Sequence, residues 1–150
     1  MAKNEKDSIE TIELEIVMLL RRADFKKTLD GNKNSLDRSG YLLLTLLANE
    51  GPLSIRVMAD RFQLNMSTIS RQVHALEVNG LIQRKEDELD ARVSLIYISE
   101  KGQTALNASK KYRIESYENI LEGWTNDEKG IFADLLTRLN RAIEKRRKLQ

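Results

Sequence analysis

The sequence has no cysteine, one proline, seven glycines, a single histidine and few aromatic residues, 5% of the chain. Without cysteine there can be no disulfide, no thiolate zinc site and no thiol redox sensor. The lone histidine, His74, leaves no Ser-His or Cys-His nucleophile pair to assemble within one chain, and no metal or cofactor is expected. No glycine-rich phosphate loop follows a strand-like segment, and the carboxylates are scattered over solvated helix faces, so no enzyme is expected. Nor does any apolar run approach the length of a membrane span. Met1 to Ile9 is polar and acidic where a signal peptide would be apolar, so the expected location is cytoplasmic and unanchored.

The same scarcity of proline and glycine leaves long periodic stretches uninterrupted, which predicts a mainly α protein. At 150 residues the chain can bury one proper core. Ile9, Ile12, Ile16, Leu19 and Ala23 step by three and four, a near-heptad seam on a first helix expected from a Ser8 cap to about Leu29. Gly31 and two asparagines place a loop over Asp30 to Ser35. Asp37 should cap a second helix that turns Tyr41, Leu44 and Leu47 inward and stops at Gly51 and Pro52.

Ser54 then caps a third helix with Ile55, Met58, Ala59 and Phe62 on one face. A tight turn over Gln63, Leu64 and Asn65 leads to a fourth helix at about 65–79, capped by Asn65 or Ser67, with a stripe of Met66, Ile69, Val73 and Leu76. Asn79 and Gly80 should supply its left-handed stop. Leu81 to Glu86 and Val93 to Ile98 are β-branched-rich runs that read as a hairpin. Ser99 caps a long fifth helix broken at Gly123. The last helix opens on Thr125 and Glu128, the spacing of a capping box, and carries Ile131, Leu135, Leu139, Ala142 and Ile143.

A short helix, a tight turn, a helix with a polar outer face and then a hairpin is the order of a winged helix-turn-helix, whose second helix enters the major groove. Groove entry needs small polar side chains near the helix start and a side chain long enough to reach a base edge. Ser67, Thr68, Ser70, Arg71 and Gln72 meet that need: the hydroxyls suit phosphates or bases, Arg71 a guanine and Gln72 an adenine. Taken alone, such a helix is an ordinary solvated amphipathic element; the hairpin that follows favours the groove reading.

From about Leu36 to Gly102 the residues resemble the MarR family of bacterial transcriptional regulators. The resemblance is carried by Gly51-Pro52-Leu53-Ser54, Ser67-Thr68-Ile69-Ser70-Arg71, Asn79-Gly80-Leu81-Ile82-Gln83-Arg84, Asp90-Ala91-Arg92 and Ser99-Glu100-Lys101-Gly102. It implies a triangular homodimer in which the first helix and the last two interlock, released from a pseudo-palindromic operator by a small aromatic or anionic effector. The expected DNA contacts are Ser54, Ser67, Thr68, Ser70, Arg71, Gln72, His74, Arg84 and, at a wing of about 86–92, Arg92 braced by Asp90. Phe25, Tyr41, Tyr112 and Trp124 are the expected effector-pocket residues. Ile9, Ile12, Ile16, Leu19, Leu135, Leu139 and Ile143 are the expected dimer interface. The implied division is 1–36 for the first dimerisation helix, 37–99 for the winged unit and 100–150 for the remaining dimerisation helices.

The wing departs from the family in its acidic Glu86, Asp87 and Glu88, in having no proline after Asp87, and at Ala91. Charge does not single out the winged region. Between Leu53 and Gly102, Arg56, Arg61, Arg71, Arg84, Lys85, Arg92 and Lys101 are matched in number by Asp60, Glu77, Glu86, Asp87, Glu88, Asp90 and Glu100. That balance keeps open a winged module that binds protein or RNA without reading duplex DNA. At the chain ends the pattern is polar in the other sense. Glu5, Asp7, Glu10, Glu13 and Glu15 open the first helix, and Arg138, Arg141, Lys145, Arg146, Arg147 and Lys148 close the last, as helix dipoles favour. These ends are expected to meet across the dimer.

Overall fold

The computed structural model describes residues 5–22 and 36–148. The elements run α1 (Glu5–Arg21), α2 (Arg38–Glu50), α3 (Ile55–Phe62), α4 (Met66–Val78), β1 (Ile82–Glu86), β2 (Ser94–Ile98), α5 (Glu100–Ile120) and α6 (Asn126–Lys148). The protein is mainly α, with one small sheet, as the sequence predicts.

Short polar side chains start the helices by accepting the amide hydrogens that a first turn leaves without partners. Asp37 Oδ1 accepts from the Gly40 amide at 2.7 Å, Ser54 Oγ from Val57 at 3.2 Å and Ser99 Oγ from Gly102 at 3.0 Å. Asn65, rather than Ser67, caps α4: its Oδ1 accepts from the Thr68 amide at 2.8 Å. Thr125 and Glu128 close a reciprocal capping box, each backbone amide donating to the other's side chain at 2.8 and 3.1 Å.

The core lies within the winged unit. Leu43, Leu44 and Leu47 of α2 meet Met58 and Ala59 of α3, Ile69, Val73 and Leu76 of α4, and Ile82 and Ile96 of the sheet; Leu106 of α5 closes it. β1 and β2 pair antiparallel with Ile82 opposite Ile98 and Glu86 opposite Ser94. Leu53 adds a one-residue bridge to Ile96, its amide and carbonyl both bonded, which ties the loop before α3 to the wing. By contrast, α1 and α6 have no buried residue.

Five expectations need correction. Ser8 lies inside α1 and is not its cap, since the chain is already helical at Glu5, the first described residue. The helix ends at Arg21, not Leu29; Ala23, Phe25, Leu29 and the expected loop over Asp30 to Ser35 fall outside the described residues. Met66 does not join the buried stripe, because it directly follows the cap, beyond the edge of the core, and is exposed. Asn79 keeps an ordinary φ of −85°, and Gly80 alone supplies the left-handed stop at +74°. Tyr41 is only half-buried: the Arg113 guanidinium lies 4.2 Å from its ring centroid.

Candidate nucleic-acid interface

With Ile69, Val73 and Leu76 locked in the core, the geometry of α4 fixes what its other side presents. Ser67, Ser70, Arg71 and His74 are exposed and fall at helical spacing on one surface; Thr68 and Gln72 flank it, half-buried. The Ser67 hydroxyl donates to Asn65 Oδ1 at 2.8 Å, so the cap also orients the first outward hydroxyl. Arg71 reaches back to Thr68 Oγ1 through a long contact of 3.4 Å, weak enough to release the guanidinium to another acceptor. The amides of a helix start, two hydroxyls and a guanidinium together form a surface of donors suited to phosphate oxygens and to a guanine edge.

The wing loop is built by its carboxylates. Asp87 Oδ1 accepts from the Leu89 amide at 2.9 Å and Asp90 Oδ1 from the Arg92 amide at 3.1 Å, two side-chain turns that close under the Asp87 to Val93 backbone bond of 3.0 Å. The acidic departure at Asp87 thus has a local architectural role. Asp90 also holds Arg92, Nε to Oδ1 at 3.0 Å and Nη2 to Oδ2 at 3.1 Å, a fork-to-fork pairing that orients the guanidinium while leaving it 90% exposed. The hydrogen bonds from Arg92 hold the Asp90 carboxyl below its ordinary pKa, and Asp90 raises that of Arg92.

Two other expected contacts, Ser54 and Arg84, have partners within the protein. Ser54 is half-buried, its oxygen engaged in capping α3. Arg84 donates through Nε to Glu77 Oε2 at 2.8 Å, tying β1 to the last turn of α4. On the other face of β1, Gln83 accepts from the Tyr97 hydroxyl at 2.8 Å and Lys85 Nζ stands 5.8 Å from the Tyr97 ring centroid. Sequence reasoning did not single out that cluster, although the register of the hairpin sets Gln83 opposite Tyr97. It placed Gln63 in the turn before α4 without singling out its left-handed backbone, φ 55°.

Of the expected effector residues, three are described. Tyr41 faces Arg113, Trp124 packs on Phe132 with centroids 5.6 Å apart, Tyr112 is exposed, and Phe25 lies outside the described residues. An open groove of about 920 Å³ lies between the start of α2, one flank of α4 and the start of α5; Asp37, Arg71, Gln72, Leu76 and Lys101 are among its lining. Among the described residues, no group of three or more His, Asp or Glu is placed to hold a metal ion, and no helix is long and apolar enough to cross a membrane. The expected interface residues Ile9, Ile12, Leu19, Leu135, Leu139 and Ile143 are exposed, and Ile16 is half-buried.

A three-helix core that carries a β-hairpin wing, with an outward polar face on the third helix, defines a winged helix-turn-helix transcriptional regulator. The chain belongs to the MarR family, which it matches over residues 36–94. It is 40% identical over 138 residues to the uncharacterised HTH-type transcriptional regulator YxaD of Bacillus subtilis (strain 168), a match spanning 92% of this chain and 96% of YxaD. Its fold is similar to that of the transcriptional regulator SlyA, with a TM-score of 0.76 and 25% identity over 92% of this chain and 97% of that one. It is also similar to FabT of Streptococcus pneumoniae, solved in complex with DNA: TM-score 0.71, 17% identity, 92% and 97% of the two chains.

Proposed function

We propose that this chain acts in the cytoplasm as a homodimeric, sequence-specific repressor that binds a pseudo-palindromic duplex operator. In this reading α4 enters the major groove through Ser67, Thr68, Ser70, Arg71 and Gln72, with His74 behind them, and Arg92 reaches the minor groove or its phosphates. The observation that carries it is the two-sidedness of α4: one face immobilised in the core, the other a row of hydroxyls, the first oriented by the cap, and a guanidinium. The exposed apolar rows on α1 and α6 support pairing of residues 1–36 and 100–150 of one copy with those of another, since such rows need an apolar partner. That FabT, similar in fold, was solved in complex with DNA is in keeping with a DNA-binding role for this fold.

Release by a small anionic or aromatic molecule belongs to the same reading. The groove beneath α4 offers Lys101 and Arg71 to an anion, and Arg71 cannot serve a groove ligand and a base at once. Selection from a randomised duplex pool tests the whole: it should return a pseudo-palindrome with half-sites about one helical turn apart. A pool that shows no enrichment at low salt would sink the reading. The equal numbers of cations and anions between Leu53 and Gly102 favour a second reading, a protein- or RNA-binding module. Binding to duplex DNA that weakens steeply with salt separates the two.

A further inference from the structure

Gln63 closes α3 in the left-handed region, φ 55° and ψ 42°, the position where helices ordinarily place glycine because a Cβ is disfavoured there. A side chain kept at such a position needs a reason. Here its amide nitrogen donates to the Glu144 carbonyl of α6 at 3.0 Å, and its own carbonyl accepts from Arg147 Nη2 at 3.0 Å. Among the described residues, the hydrogen bonds between α6 and the winged unit both fall on Gln63. Arg147 also sits where the negative end of α3 attracts a cation. Since α6 has no buried residue, this two-armed clamp is its polar tie to the winged core.

Gln63 precedes the α4 cap, Asn65, by two positions, so whatever holds Gln63 holds the start of the groove-facing helix. We propose that Gln63 and Arg147 are positioning residues that fix the reading helix relative to α6, and thereby set the half-site spacing the dimer accepts. The inference rests on the dimeric duplex-reading function above. In a dimer joined through α6, a rigid clamp makes the distance between two α4 helices a fixed quantity; a loose one lets each helix find its half-site separately.

The test uses the full chain and the duplex recovered from selection, re-spaced by one and two base pairs either way. Gln63→Gly removes only the arm to Glu144 and suits the left-handed backbone, so the fold should hold or gain stability. Arg147→Gln removes only the arm to Gln63. In wild type, re-spacing should cost about tenfold or more in affinity; in either variant that penalty should shrink about fivefold or more, and further in the double variant, a coupling of ordinary allosteric size. Base preference within each half-site and the dimer seen by sedimentation should not change. Amide hydrogen exchange over Leu64 to Ile69 should quicken in both variants without DNA present. An unchanged spacing penalty in both variants would overturn the assignment, all the more if exchange quickens. A wild-type chain indifferent to spacing would overturn the dimeric reading itself, and the wild-type measurement alone reveals it.

Discussion

Arg71 is the side chain of α4 long enough, exposed enough and loosely enough held to pair with two acceptors on one base. Its replacement by alanine is expected to cost about 1–3 kcal/mol of operator binding and relax preference at one base position, measured by competition against single-base variants. Arg92 differs in kind. Held by Asp90 and aimed outward, it should weaken binding to every sequence when changed to alanine and make the salt dependence shallower. Asp90 has a folded pKa below its ordinary 3.8, so its contribution to the wing is full above that value and lost as pH falls through the lower one. A titration followed by carboxyl carbon shifts should place its midpoint below 3.8. Asp90→Asn at neutral pH should loosen Arg92 and weaken DNA binding while leaving the core intact.

At the scale of elements, the tightest junction is where α5 begins. A Cβ on Gly102 would fall 2.0 Å from the Leu81 carbonyl oxygen and 2.9 Å from Ile98 Cγ1, a collision with backbone that no rotamer relieves. Gly102→Ala should therefore cost about 1–3 kcal/mol or more in denaturant unfolding, while Gly130→Ala, in open space on α6, should not destabilise. Much of this level was legible in the sequence. Caps at Asp37, Ser54, Ser99 and Thr125 declare themselves because a short polar side chain before an apolar period has one economical use. The failures share a cause. Ser8 and Met66 fit a local pattern, but whether a helix is already running before Ser8, and where the core ends beyond Ile69, depend on what surrounds them. The outward residues of α4 could be read from periodicity. The Glu77–Arg84 tie and the Gln63 clamp could not, since they join residues whose nearness only the folded chain decides.

For the whole molecule, a buried winged core and two unburied helices predict two kinds of stability. The chain is expected to sediment as a dimer at micromolar concentration, and Leu135→Asp, which puts a charge into an exposed apolar row, should yield a monomer that has lost operator binding. The winged unit should keep its secondary structure in that variant, as its core includes no residue of α1 or α6. Charge, finally, bears on how such a dimer would find its target. Of the seven cations between Leu53 and Gly102, three are engaged by carboxylates: Arg61 by Glu50, Arg84 by Glu77 and Arg92 by Asp90. A surface so evenly neutralised gains little from random stretches of phosphate, which is what lets a regulator linger and slide between sites. Its search would proceed by brief collisions from solution, with few molecules stranded on irrelevant sequence, and its occupancy of the operator would follow its free concentration closely.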